Sequence, residues 1–347
     1  MKLNKLALAA ALALPASSVL ACASCGCSLN TDIGTQGMGM SGGWTLDVRY
    51  DTLNQNKLWA GTKSISQNGV NAASPSAEVE NFTQNNYLTA SLDYNDGEKW
   101  GVTTILPYIM RTHSTFGSDD GISGPTNASN PSSNAYLSQA SGIGDMKIIG
   151  RYFGFAEEKD WGFQFGVKLP TGNNSQTVVN NGGSLQGVDP GLQLGTGSTD
   201  VIIGAYKFGF IPATEDWGYF ANIQYQATVK PTDVPVTIAT LNAQNGVGSS
   251  YRPGNAANLN LGVNYQGFEK LVPTLQLNML NKKVDSGTAA DTLSTGGVLA
   301  YITPGALYNV TDTTQLYVNV QLPIYQNVNG FQLVPSFVAS VGMRVHF

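Results

Sequence analysis

Three cysteines stand close together in Cys22-Ala23-Ser24-Cys25-Gly26-Cys27. As thiolates they suit a soft metal ion, and in an oxidising compartment two of them can form a disulfide. The first pair is a Cys-x-x-Cys, but Gly26 follows where covalent haem attachment needs a histidine, and no second ligand pair lies downstream. A soft metal on Cys22, Cys25 and Cys27, or a periplasmic redox partner engaged by them, is one expectation. A trimmed leader, or a lipid on Cys22, is the plainer one. His113 and His346 have no spacing that nominates a serine or acid partner, so the chain is not expected to be an enzyme. Asp119-Asp120 offers two adjacent carboxylates, short of a calcium site of about six ligands. No other cofactor is expected.

The chain that must position these residues is poor in charge. Of its 347 residues 12% are charged and 42% hydrophobic, whereas soluble domains carry about 25% charged residues. Such a surface is not built to face water on all sides. Disorder needs low hydrophobicity with high charge, which is not found here. The net charge of −5 and the lack of a basic cluster exclude nucleic acid as a partner.

Lys2 and Lys5, the apolar run Leu6 to Leu14, and Val19-Leu20-Ala21 have the layout of a secretory signal peptide over residues 1–23. Pro15 interrupts the run before the roughly 20 residues that a membrane helix needs. Cleavage after Ala21 or Ala23 fits, as does a lipoprotein cut before Cys22; losing Lys2 and Lys5 takes the net charge from −5 to −7. Beyond residue 30 no apolar run is long enough for a spanning helix. A membrane protein of this kind has one remaining solution, a closed barrel, because lipid leaves an open sheet edge unsatisfied.

Alternation supports the barrel. Phe337, Ala339, Val341, Met343, Val345 and Phe347 share one face of the last segment, with Ser340, Gly342, Arg344 and His346 on the other. A terminal phenylalanine closing such a strand resembles the sorting signal of bacterial outer-membrane barrels. The same period recurs from Leu46 to Tyr50, Leu88 to Tyr94, Phe163 to Leu169, Tyr219 to Ala227, Leu259 to Tyr265 and Leu316 to Leu322. Weaker strands are expected over 99–112, 145–154, 200–211, 273–283 and 295–309.

The connections sort by length. Short turns fall at Asn95–Glu98, Glu157–Asp160, Ala213–Asp216, Gly267–Lys270 and Thr311–Thr314, and longer Ser/Asn/Gly/Thr-rich segments near 54–84, 114–143, 172–198, 231–255, 284–294 and 327–333. Five short turns and six long loops give twelve strands, the plan of periplasmic turns and extracellular loops. Trp100, Trp161 and Trp217 follow short turns, with Tyr94, Phe153 and Tyr308 before turns, the placing of an interfacial aromatic girdle. The expected fold is all-β: a transmembrane antiparallel up-and-down barrel of about 12 strands over residues 44–347. A Cys/Gly-rich periplasmic segment, 24–43, precedes it, and its Gly-rich part, 34–43, is flexible enough to enter the lumen as a plug. The expected location is the bacterial outer membrane, in contact with its lipid, with both termini in the periplasm.

Leu106-Pro107-Tyr108, Gly142-Ile143-Gly144-Asp145-Met146, Val167-Lys168-Leu169-Pro170-Thr171-Gly172 and Leu194-Gly195-Thr196-Gly197-Ser198 follow one another in order. Over about residues 85–347 this series resembles the outer-membrane barrel family named for the meta-pathway of phenol degradation. The resemblance implies a pore-like transporter, and through the family name, aromatic or hydrophobic cargo. The cysteine cluster and the Asn/Gln-rich strands near 222–278 do not match that pattern.

The inward faces are expected to line a pore. They carry Arg49, Arg111, Lys147, Arg151, Lys168, Lys207, Lys230 and Arg344 against Asp47, Asp51 and Asp93, with neutral residues such as Gln224 and Asn260 between them. Charged rings tune selectivity, and this set predicts a slight preference for anions. The expected function is passive passage of small solutes, hydrophobic, aromatic or anionic. The alternative is a barrel that serves a periplasmic or outer-membrane redox or metal-handling complex through its cysteines.

Overall fold

The computed structural model describes residues 42–73, 79–116, 135–179, 185–212, 214, 216–244 and 248–347. The expected signal peptide, Cys22, Cys25, Cys27, nearly all of the Gly-rich segment, and Asp119-Asp120 lie outside the described residues.

In chain order the first strands are β1 (Gly43–Gly61), β2 (Lys63–Ser64), β3 (Val79–Asn95), β4 (Trp100–Phe116), β5 (Ala135–Ile143) and β6 (Met146–Tyr152). They continue with β7 (Trp161–Leu169), β8 (Thr177–Val179), β9 (Leu185–Gly187), β10 (Thr199–Phe210), β11 (Trp217–Lys230) and β12 (Thr232–Asp233). The last are β13 (Ser250–Tyr251), β14 (Ala256–Tyr265), β15 (Leu271–Lys282), β16 (Gly297–Asn309) and β17 (Thr314–His346). Two short helices, α1 (Gln67–Ala73) and α2 (Val236–Gln244), lie in the connections.

The wall runs β1–β3–β4–β6–β7–β10–β11–β14–β15–β16–β17, and β17 pairs back onto β1, every contact antiparallel. A ring of antiparallel neighbours closes only on an even number of passes, yet this path names eleven elements. The 33-residue β17 resolves the parity. Its first half pairs with β16 as far as Val328, and its second half pairs with β1 from Phe331 to His346. The chain reverses at Asn329-Gly330, where Gly330 has a φ of +61° that disfavours any side chain. The ring therefore has twelve passes. The long loop expected over 327–333 is instead this tight reversal.

Burial is inverted relative to a protein in water. Phe165, Ile203, Ile223, Val318, Val341 and other large apolar side chains point outward and are exposed, while Asp51, Arg151 and Gln321 are buried. Each such apolar side chain would cost about 1.5–3 kcal/mol left in water rather than in an apolar medium. Summed around the ring, that term requires lipid on the outside.

The aromatic girdle forms at the short-turn end. Tyr94 lies between Trp44 and Trp100 at 4.9 and 5.3 Å, Phe155 packs tilted against Trp161 at 4.4 Å, and Tyr265 lies between Trp217 and Phe268 at 5.2 and 5.1 Å. Phe153 is not part of it. One residue of parity turns Phe153 inward to 1% exposure, and Tyr152 and Phe155 occupy the outer rim.

The wall is uneven at the long-loop end. β1 has 19 residues and β3 and β4 have 17 each, whereas β6 has 7 and β7 has 9. About 9–11 residues cross a bilayer, so the tall side continues beyond it. There Leu58, Val70 of α1, Val79 and Leu333 pack with Ile65 and Phe331, so the loop between β2 and β3 folds onto the tall wall.

Candidate channel interior

Period-two alternation turns the polar residues of each strand into the ring, and two different halves result. One half is ionic. On β1, Arg49 Nε donates to Asp51 Oδ2 at 2.8 Å. Tyr317 Oη donates to the Asp47 carboxylate at 3.0 Å, and Arg344 Nε stands 3.7 Å from the same group. The Arg344 guanidinium also lies over the Tyr317 ring, 5.6 Å from its centroid. Arg151 on β6 pairs with Asp93 on β3. Lys168 on β7 sits between Asp145 and Asp200 at 3.1 and 3.2 Å.

The other half is built of neutral amides and hydroxyls. Asn222 Nδ2 and Gln224 Nε2 each donate to Gln164 Oε1 at 3.0 Å. Asn278 Nδ2 donates to Asn260 Oδ1 at 2.9 Å, and Thr303 Oγ1 donates to Asn278 Oδ1 at 2.6 Å. Along the inward positions of β11, β14, β15, β16 and the first half of β17, charge appears only at the loop ends, with Lys230 and Lys282. Two aromatic rings pack over inward-facing glycines. Phe220 covers Gly262 and Tyr317 covers Gly342, where a Cβ would collide with the ring.

The sequence motifs from four separate segments meet where the wall breaks between β5 and β6. β5 pairs only with β4, and β6 continues below it to pair with β7. At the break Gly144 N donates to Pro107 O at 2.8 Å, and Thr171 Oγ1 donates to Gly144 O at 2.8 Å. The Asp145 carboxylate accepts from Gly172 N, Thr196 N and Thr196 Oγ1 at 3.1, 3.0 and 2.7 Å. Lys168 Nζ completes the node by donating to Thr196 Oγ1 and Ser198 Oγ. Asp145, Asp200 and Gln193 were not singled out from the sequence. The only signal for the first was its place in the Gly-Ile-Gly-Asp-Met stretch.

The segment between β9 and β10 reaches this interior. Arg111 Nη1 donates to the carbonyls of Gln193 and Gly191 at 3.1 and 3.4 Å, and its Nε bonds Asn85. The Gln193 amide in turn donates to Val188 O and Gln176 O at 2.8 and 3.1 Å, so the segment is tied to itself and to β4.

Of the residues expected in the lumen, Arg49, Arg111, Lys147, Arg151, Lys168, Arg344, Asp47, Asp51, Asp93, Gln224 and Asn260 occupy inward positions. Lys207 does not. It shares the outward face of β10 with Val201 and Ile203, its side chain is 52% exposed, and it bonds Asp160 in the neighbouring short turn at 2.7 Å. Tyr206 takes the inward place beside it. Lys230 has inward parity but lies exposed at the loop end of β11. His113 is inside β4, 2.8 Å from Thr83 Oγ1, and His346 is 3.1 Å from Thr45 Oγ1. Among the described residues neither ring bonds a carboxylate. No group of three or more His, Cys, Asp or Glu fit to hold a metal occurs among the described residues.

A closed antiparallel ring with an apolar belt and a polar interior is the fold of outer-membrane channels and transporters. An outer-membrane channel of Pseudomonas putida F1 shares it with a TM-score of 0.58 at 15% identity, over 88% of this chain and 96% of that one. The transport unit of the autotransporter AIDA-I from Escherichia coli gives 0.49 at 10% identity, over 92% and 93%. The toluene transporter TbuX of Ralstonia pickettii gives 0.45 at 10%, over 91% and 92%. The first of these is a likeness of fold. No family model and no curated protein sequence matches the chain. The likeness to the phenol meta-pathway family therefore rests on the motif series alone.

Proposed function

We propose that this chain is a bacterial outer-membrane channel through which small solutes pass without an energy source. The observation that carries the reading is the inversion of burial in a closed ring: Phe165 and Ile203 face outward and exposed, while Asp51 and Arg151 are buried inside. A soluble barrel has no use for that arrangement, and a polar interior enclosed by a lipid-facing wall is the setting in which a polar solute can cross a bilayer. Both chain termini and the short turns face the periplasm in this reading, and the tall rim of the wall faces the outside of the cell.

Carboxylates answer Arg49, Arg151, Lys168 and Arg344 at salt-bridge distance, so the cation excess read from the sequence is largely compensated. Selectivity between anions and cations is accordingly weak. Aromatic cargo is supported by the motif resemblance only. Single-channel recording from the refolded barrel in a planar bilayer tests the reading. Discrete current steps with a small reversal potential in a salt gradient agree with it, and a folded but silent barrel rejects it.

A further inference from the structure

The two ends of the barrel differ in charge. Among the described residues, the exposed charged side chains at the short-turn end are Glu98, Glu157, Glu158, Asp216, Glu269 and Asp312, against Lys99, Lys207 and Lys270. At the long-loop end they are Lys57, Lys63, Lys230, Arg252 and Lys283, against Asp233. Three of those cations gather on one arc: Lys230 ends β11, Arg252 follows β13 and Lys283 follows β15. Arg252 Nη2 donates to Thr228 O at 2.6 Å, Arg252 N to Ser286 O at 2.7 Å and Lys283 N to Asn255 O at 2.8 Å, which ties the three segments side by side. Among the described residues none of the three cations has a carboxylate at salt-bridge distance. Asp285 close by is already held, by Lys282 at 2.9 Å and Tyr251 Oη at 3.0 Å. Like charges so placed repel one another, and an anion between them removes that penalty.

The height of the arc indicates which anion. Leu271, Leu275 and Met279 are exposed on the outward face of β15, and Lys283 falls on the same face four residues further on. Steps of about 3.4 Å per residue, on a strand tilted by about 40°, put Lys283 roughly 31 Å above Leu271, whereas the apolar band of such barrels is about 25 Å tall. Tyr225, outward on β11 with its Oη accepting from Asn255 Nδ2 at 2.9 Å, marks the headgroup level next to it. Val229 and Val284, 56% and 40% exposed, add apolar surface beside the cations. A dissolved anion gains nothing from that surface, and an acylated one does. Arg252 and Lys283 are roughly 10 Å apart along the strands, a gap that two long side chains close on one headgroup.

We propose that Arg252 and Lys283, flanked by Lys230, form a docking site for the phosphorylated headgroup of a membrane lipid whose acyl chains lie along the belt below. The proposal rests on the orientation read above, which puts this end at the outer leaflet, but its test does not. Native mass spectrometry of the detergent-solubilised barrel, titrated with bis-phosphorylated lipid A and in parallel with the dephosphorylated form, measures the affinity. Saturable binding that prefers the phosphorylated form is expected. It should weaken about 25-fold in Arg252→Gln/Lys283→Gln, at about fivefold for each basic group near an anionic surface. Lys283→Gln alone, at a side chain with no hydrogen bond among the described residues, should weaken it about fivefold even where the double variant folds poorly. Lys270→Gln, an exposed lysine at the other end, should leave it unchanged. Equal affinity for the dephosphorylated lipid, full binding in Lys283→Gln, an equal loss in Lys270→Gln, or displacement by an equal concentration of inorganic phosphate overturns the site. An impermeant maleimide on intact cells reads the orientation separately: Lys283→Cys should label above the unaltered chain, and failure to label with lipid binding intact would reject the orientation alone.

Discussion

Asp93 and Arg151 are 58 residues apart in sequence and meet as a two-pronged pair inside the ring. Nη1 reaches Oδ1 at 2.7 Å and Nη2 reaches Oδ2 at 2.9 Å, and Thr103 Oγ1 donates to the same Oδ1 at 2.5 Å. The Arg151 side chain is 1% exposed. Removing one member of a buried pair leaves the other charge unanswered, which costs about 3–5 kcal/mol, whereas replacing both with apolar groups is far cheaper. Asp93→Asn should therefore destabilise the barrel by about that amount. Asp93→Leu combined with Arg151→Met should recover much of it. Urea unfolding in lipid vesicles measures both, and equal losses in the single and double variants would show that the pair is not the source.

Phe165 tests the lipid-facing side. It lies in the middle of β7 and is 55% exposed. Phe165→Arg should cost about 2–4 kcal/mol, the price of a cation near the bilayer midplane. The same measurement on a variant at the short-turn rim, Lys207→Gln, should show almost no change, as for an exposed pair screened by solvent. Equal effects at the two positions would argue against a membrane belt centred on Phe165.

The Asp145 node holds the loop after β7 against the wall. Asp145→Ala removes the acceptor for Gly172 N, Thr196 N and Thr196 Oγ1. Hydrogen bonds to a charged acceptor are worth roughly 1.5–3 kcal/mol each, so local opening should rise at least about tenfold. Limited proteolysis within residues 172–198 reads this directly. An unchanged cleavage rate would mean the loop is held by its packing instead.

Much of this was legible in the sequence. The period-two pattern of Leu88 to Tyr94 or Leu316 to Leu322 fixed strand faces because a polar interior and an apolar exterior leave opposite marks on alternate residues. Where both faces are apolar the pattern fails. Val201, Ile202 and Ile203 are consecutive, so the parity of β10 was undefined and Lys207 was assigned inward. The reversal at Asn329-Gly330 had a signal of its own, since Asn-Gly between apolar runs is the strongest short hairpin mark. The Asp145 node was legible only as an ordered series of motifs, not as a contact. Its members come from distant segments, and only closure of the wall brings them together.

Arg111 ties the segment around Gln193 to β4. If the barrel conducts, Arg111→Ala should release that segment and raise single-channel conductance or its open-state flicker. A current identical to that of the unaltered protein would place the segment away from the conduction path.

Asp291, in the loop between β15 and β16, offers a pH test. Burial pushes its carboxyl up to about 6, with Asp285 nearby adding to the rise, although Leu293 N and Ser294 N donate to it. The folded loop thus binds a proton more tightly than the unfolded chain does, whose carboxyl titrates near 3.8. Loop stability is therefore full below about pH 4 and falls as pH rises through 6, by up to about 3 kcal/mol. Hydrogen exchange at Leu293 and Ser294, corrected for intrinsic rates, should quicken over that window in the unaltered chain and stay flat in Asp291→Asn. A pH dependence that survives the substitution would assign it elsewhere.

The division of the interior into an ionic side and an amide side leaves it without rotational symmetry. A solute with more than one kind of polar group cannot tumble freely past such walls, because each orientation about the barrel axis meets different partners. Passage is then tied to a preferred heading, and the walls themselves are made of L-residues. If solutes cross, mirror images of equal size and equal charge should do so at unequal rates, and by a wider margin than in a uniformly charged pore.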